Sequence, residues 1–107
     1  MLAQNERENS RTALHEFKCK NNCKLTKAKV DFIYNDCCKN PFEICFVDFS
    51  REKPELSILF EDKSLESKFY SNYNANYQAM EIHKDTLTIN AKDEIGTNLQ
   101  IKITPFE

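Results

Sequence analysis

Short stretches in which apolar and polar residues alternate recur through most of this chain, and they predict β-strands with one face toward a core. In residues 28–34 an apolar residue occupies every second position, and residues 99–103 repeat this pattern. The positions between them are mainly polar, as expected of strands that keep one face in water. Pro105 is expected to end the last of these strands, because proline cannot donate to a strand ladder.

Two apolar runs, residues 42–49 and 55–62, flank a polar break that contains Pro54. The first run is apolar on both faces, which is typical of a strand covered on both sides. The second run carries its apolar residues mainly on one face. We therefore expect the two runs to pair as the middle of an antiparallel sheet.

A β-hairpin is predicted for residues 80–89. Apolar residues at positions 80 and 82 precede the polar break His83–Asp85, and two more follow at positions 87 and 89. This spacing gives a hairpin with one buried face.

The remaining segments have weaker patterns. Residues 1–10 are polar and are expected to form a flexible arm. Residues 10–20 and 65–76 each fit either a helix or a strand.

Together these patterns predict a mainly β fold. The expected form is a small antiparallel β-sandwich or curved sheet of six to seven strands, with one short N-terminal helix as an option and an α+β fold as the alternative. The predicted core consists of Val30, Phe32, Ile44, Phe46, Ile58, Phe60, Ile82, Leu87, Ile89, Leu99, Ile101 and Ile103.

The length and composition are those of one globular domain spanning residues 1–107. Apolar residues make up 40% of the chain and charged residues 30%, which is not the composition of a disordered segment. Gly96 is the single glycine, so Gly-rich phosphate or dinucleotide loops are excluded and Asn or Asp is expected at turns with positive φ. The longest apolar run, residues 44–47, is too short to cross a bilayer, so we expect no membrane partner.

Charge is unevenly distributed along the chain. Residues 1–30 have seven Lys or Arg and three Glu, whereas residues 31–107 have eight Lys or Arg and fourteen acids, giving −2 overall. Five lysines and no acid lie between Lys18 and Lys29. A nucleic-acid-associated module using this run is one hypothesis. The acidic remainder of the chain would repel a phosphate backbone, and no aromatic side chains lie between the lysines. We therefore interpret the run as a solvated edge strand whose lysines prevent aggregation.

The five cysteines favour reduced thiols in a cytoplasmic protein, because their number is odd and the N-terminus lacks a signal-peptide core. Cys19, Cys23, Cys37 and Cys38, with His15 nearby, could bind zinc, and zinc on Cys19 and Cys23 could stabilise the nucleic-acid module. The same four cysteines could instead form disulfides in a processed secreted form. The spacing is not that of a zinc knuckle, so we predict free thiols and no metal or other cofactor.

The segment from position 70 to position 77 is rich in tyrosine and asparagine, a mixture that recognition loops use. Tyr73, in its middle, is expected to lie at the surface because no neighbouring strand requires it to point inward. The predicted binding residues are Tyr70, Asn72, Tyr73, Asn74, Asn76 and Tyr77.

Catalysis has little support in the sequence. The two histidines, His15 and His83, are far apart in the chain, and the adjacent carboxylates Glu61 and Asp62 are typical of a turn. The sequence therefore favours a non-catalytic protein-binding module, such as a small inhibitor, an immunity-type neutraliser or an adaptor. The alternatives are the nucleic-acid module and a small hydrolase or ligand carrier. The identity of the partner and the oligomeric state stay open.

Overall fold

The computed structural model describes residues 2–22, 24–34, 38–39, 43–48, 53–64, 72–92 and 95–106, with the backbone alone at 25–26, 34, 38–39 and 43–48. Over these residues the chain forms an N-terminal helix and an eight-stranded antiparallel sheet, which confirms the predicted mainly β class with a short N-terminal helix. The elements are α1 (Gln4–Lys20), β1 (Leu25–Tyr34), β2 (Cys38–Lys39), β3 (Glu43–Asp48), β4 (Glu55–Phe60), β5 (Asn72–Asn74), β6 (Ala79–His83), β7 (Thr86–Lys92) and β8 (Asn98–Pro105).

The strands follow the order β5-β4-β3-β1-β8-β7-β6, with β2 paired to β1 beside this path. Strands β3 and β4 pair as predicted, with Cys45 opposite Phe60. They are not the middle of the sheet, however, because β1 lies there and pairs with β3 on one side and β8 on the other. A strand with apolar residues on both faces was expected to be the central one. In an antiparallel sheet, however, a central strand can keep one face in water, so apolarity on both faces does not identify the central strand.

The two outermost strands of this order are neighbours in the chain. Only residues 75–78 separate β5 from β6, so the sheet curves until its two ends approach each other. The predicted hairpin is confirmed as β6 and β7, with Ile82 opposite Leu87.

One continuous core lies between the sheet and the helix. Of the predicted core residues with described side chains, Ile82 is partly buried and the others are buried. The side chains of Ile44 and Phe46 lie outside the described set. The buried members of the core are Ala13, Leu14, Phe17, Ala28, Val30, Phe32, Leu56, Ile58, Phe60, Tyr73, Ala75, Met80, Leu87, Ile89, Leu99, Ile101 and Ile103.

Helix α1 packs mainly against β6. Its buried residues recur at helical spacing and include two polar ones, Ser10 and Lys18. The segment predicted as a flexible arm is helical from Gln4 onward, because its polar residues precede the apolar turn of the same helix and Ser10 is held in the interior. No helix in the described residues is long and apolar enough to cross a membrane.

Three described residues have positive φ. Asn22 (62°), two residues after the end of α1, agrees with the expectation that asparagine substitutes for glycine at such turns. Gly96 (87°) lies in the connection between β7 and β8. Lys84 (56°), in the turn between β6 and β7, was not anticipated, since lysine rarely adopts this conformation.

Candidate functional site

The tyrosine- and asparagine-rich segment is divided between a strand and a turn. Asn72–Asn74 form β5, which pairs with β4 so that Tyr73 lies opposite Leu56. Tyr73 is only 3% exposed, and the expectation that it lies at the surface is wrong. The sequence does contain a pattern typical of a strand, because Tyr73 and Ala75 alternate with asparagines. Both residues are buried in the structure. Three residues are too few for that alternation to identify a strand.

The other predicted binding residues lie at different exposures. Asn72 is exposed, and its Oδ1 accepts a 2.7 Å hydrogen bond from the Ser57 hydroxyl across the strand pair. Asn74 and Asn76 are half-buried, and Tyr77 is 58% exposed. Tyr70 lies outside the described residues. Of the two tyrosines of this segment that the structure describes, Tyr77 is therefore the one in solvent.

Hydrogen bonds hold the turn that carries Tyr77. The backbone carbonyl of Asn74 accepts from the N–H groups of Tyr77 and Gln78, each at 2.9 Å. The Asn74 side chain accepts from the Asn76 N–H at 2.9 Å, and the Gln78 side chain accepts from the Asn74 N–H at 2.7 Å. The N-terminal segment also joins the turn, because the Leu2 N–H donates to the Asn76 carbonyl at 3.0 Å. The exposed tyrosine is thus displayed on a turn with a defined shape.

The lysine run between positions 18 and 29 does not form one surface. Lys18 and Lys20 belong to α1, where Lys18 is buried and Lys20 donates to the Lys84 carbonyl at 3.2 Å. Lys27 and Lys29 are exposed on β1. The interpretation of this run as an edge strand is wrong, because β1 has a neighbour on each side.

The cysteines are only partly described. Cys19 is exposed on α1, and its Sγ lies 3.6 Å from Nε2 of His15 one turn earlier. Cys23 and Cys37 lie outside the described residues, as do the side chains of Cys38 and Cys45. Within the described part of the chain, no three His, Cys, Asp or Glu side chains are grouped to hold a metal ion. The free, metal-free state of all five cysteines stays a prediction.

An open groove of about 370 Å³ lies between α1 and the segment before β4. Its lining residues are Arg11, His15, Lys18, Lys53 and Pro54. Arg11, His15 and Lys18 recur at i, i+4 and i+7, which places them on one side of the helix. This helical spacing was the available signal, but the ambiguity between helix and strand over residues 10–20 concealed it. Lys53 joins the groove only through the fold.

The buried ammonium of Lys18 connects the two walls of this groove. Its Nζ donates to the carbonyl oxygens of Lys53 at 3.0 Å and Glu55 at 2.6 Å. The whole residue is 2% exposed. Such carbonyl partners offset the cost of removing a charge from water.

No protein-family model, curated protein or solved structure matches this chain.

Proposed function

We propose that the protein is a non-catalytic protein-binding module of the cytoplasm, of the kind represented by small inhibitors, immunity-type neutralisers and adaptors. The observation that carries this proposal is the exposed Tyr77 on its hydrogen-bonded turn. Tyrosine provides a large contact area with few rotatable bonds and is enriched among residues that dominate binding energy. A turn already held in one shape loses little conformational freedom when a partner docks.

The neighbouring residues fit this role. Asn72 is exposed in β5, the strand that precedes the turn, where its Oδ1 accepts a hydrogen bond from the Ser57 hydroxyl. An anchor of this kind, surrounded by adaptable polar groups, is the usual composition of a recognition surface. The proposed contact residues are therefore Tyr77 and Asn72, while Tyr73 serves the core.

The proposal is tested by affinity capture from the native source with three versions of the protein: wild type, Tyr77→Ala and Ile95→Ala. Ile95 is 87% exposed on a different connection, which makes it a matched control for loss of a large surface side chain. We expect one protein to be retained by wild type and Ile95→Ala, with at least a tenfold loss of affinity for Tyr77→Ala in a subsequent titration. Failure to find any protein whose binding depends on Tyr77 would overturn the proposal.

A further inference from the structure

We propose that the groove between α1 and residues 53–54 binds a small anion that carries phosphoryl groups, such as a phosphate ester or a diphosphate. This site is separate from the proposed protein-binding turn, and neither proposal depends on the other. The groove is open to solvent, and its volume is at the lower end of the roughly 300–1,000 Å³ typical of small-molecule sites.

The lining of the groove favours an anion. Arg11, Lys18 and Lys53 contribute cationic side chains, and His15 contributes an imidazole that can donate a hydrogen bond. Among the residues that the structure describes, none of those lining the groove carries a carboxylate. Exposed acids lie near these residues in the structure: Glu8, one turn before Arg11 on α1, whose Oε1 accepts a 3.5 Å hydrogen bond from Nε2 of Gln4, and Glu55, which contacts Lys18 through its backbone carbonyl.

The four basic side chains have complementary roles. The guanidinium of Arg11 is a planar fork that can donate two parallel hydrogen bonds to a phosphoryl group. Lys53 is exposed on the opposite wall and is long enough to reach a bound group. The position of the Lys18 ammonium is set by two backbone carbonyls, so its charge contributes to the potential of the groove at a fixed place. Because Lys18 is buried, water screens that charge less than it screens a surface lysine.

A phosphoryl anion suits these features better than a single carboxylate does. It offers three acceptor oxygens and close to two negative charges at neutral pH. Cations on two walls can contact such a group at the same time. A singly charged carboxylate would gain less interaction energy from two cations. Charge-assisted hydrogen bonds of this type are among the stronger polar contacts in proteins.

The test is a titration of the full-length protein with sodium diphosphate at constant ionic strength, followed by NMR of the His15 imidazole. The variants are Arg11→Gln and Lys53→Gln, and the control is Lys92→Gln, an exposed lysine at the end of β7. Arg11 and Lys53 are exposed, and the Lys53 group that holds Lys18 is its backbone carbonyl, so both variants should fold normally. Their thermal melts are measured alongside.

We expect a saturable shift of the His15 signals in wild type and Lys92→Gln, with dissociation constants within about twofold of each other. Arg11→Gln and Lys53→Gln should each weaken binding by about tenfold or more, the size expected for one charge-assisted hydrogen bond. The absence of a saturable shift, an equal loss in Lys92→Gln, or unchanged affinity in Arg11→Gln would overturn the proposal. Tyr77→Ala should leave diphosphate binding unchanged, which separates this result from the test of the protein-binding turn.

Discussion

The hydroxyl oxygen of Ser10 accepts a 2.9 Å hydrogen bond from the backbone N–H of Met80, 70 positions further along the chain. Ser10 is in α1 and Met80 is in β6, the last strand of the sheet order. A strand at the end of a sheet has N–H groups without a strand partner, and these promote unwanted pairing with other chains. The helix covers this strand and satisfies one of its donors with a buried side chain.

We predict that Ser10→Ala lowers the free energy of unfolding by about 1–3 kcal/mol, because the Met80 N–H would remain buried without its acceptor. Chemical denaturation measures the change. Thr12→Ala is the matched control on the same helix. Its hydroxyl donates to the Glu8 carbonyl at an exposed position, so its removal should alter stability by less than about 0.5 kcal/mol. Equal effects of the two substitutions would contradict this role for Ser10.

Two lysines at the end of α1 should differ strongly in their effect on stability. Lys18→Ala removes two hydrogen bonds from a buried ammonium and should cost at least about 1.5–3 kcal/mol. Lys20→Ala affects an exposed side chain and should change stability by less than about 0.5 kcal/mol. Thermal and denaturant unfolding of both variants provide the comparison, and a Lys18→Ala protein as stable as Lys20→Ala would refute the structural assignment.

Tyr73 and Tyr77 should behave in opposite ways. Tyr73→Ala should destabilise the fold by about 3–5 kcal/mol, because it empties an aromatic position in the core. Tyr77→Ala should leave stability within about 0.5 kcal/mol of wild type, since most of its side chain is in solvent. Circular dichroism during thermal unfolding distinguishes them. A stable Tyr73→Ala protein would restore the interpretation of Tyr73 as a surface residue.

The turn at Lys84 offers a stabilising substitution. Its φ of 56° costs a residue with a side chain about 1–2 kcal/mol, whereas glycine adopts this angle freely. After subtracting the extra freedom that glycine has in the unfolded chain, Lys84→Gly should gain about 0.5–1 kcal/mol. Lys92→Gly, at the end of β7, should give no gain. A loss of stability in Lys84→Gly would show that the turn tolerates lysine without strain.

The carboxyl group of Asp62 should titrate below its ordinary range. The hydroxyl of Ser64 lowers the pKa of Asp62 through a 2.7 Å hydrogen bond, and the Ser64 backbone N–H lowers it further at 2.9 Å. Since the folded-state pKa is below the unfolded value, this contribution to stability is present above about pH 3.9 and is lost as the pH falls through the folded pKa.

Removing the larger cause tests this assignment. Ser64→Ala should raise the pKa of Asp62 toward its ordinary value, and NMR of the Asp62 side-chain carbonyl carbon measures the change. Thr12→Ala, on the helix, should leave the pKa of Asp62 where it is in wild type. An unchanged titration in Ser64→Ala would show that the hydroxyl does not stabilise the carboxylate.

The sequence by itself determined which strands have a clear period of two and which of their residues face the core. Val30, Ile58 and Ile101 are buried as predicted, since burial along a strand follows directly from alternation. The hairpin around Lys84 was also predictable from the sequence. Its two apolar runs are close in the chain, which leaves few possible registers for their pairing.

Only the tertiary structure decided the positions of polar residues in the interior and the grouping of charges at the surface. Ser10 and Lys18 are hydrophilic by type, and their burial depends on backbone groups of Met80 and Glu55 that are distant in the chain. Tyr73 is a core residue because β5 pairs with β4. A strand of three residues is too short for its sequence to predict that pairing. The same long-range packing placed Lys53 across a groove from Arg11, because a site shared between a helix and a segment distant in the chain exists only once the two have docked.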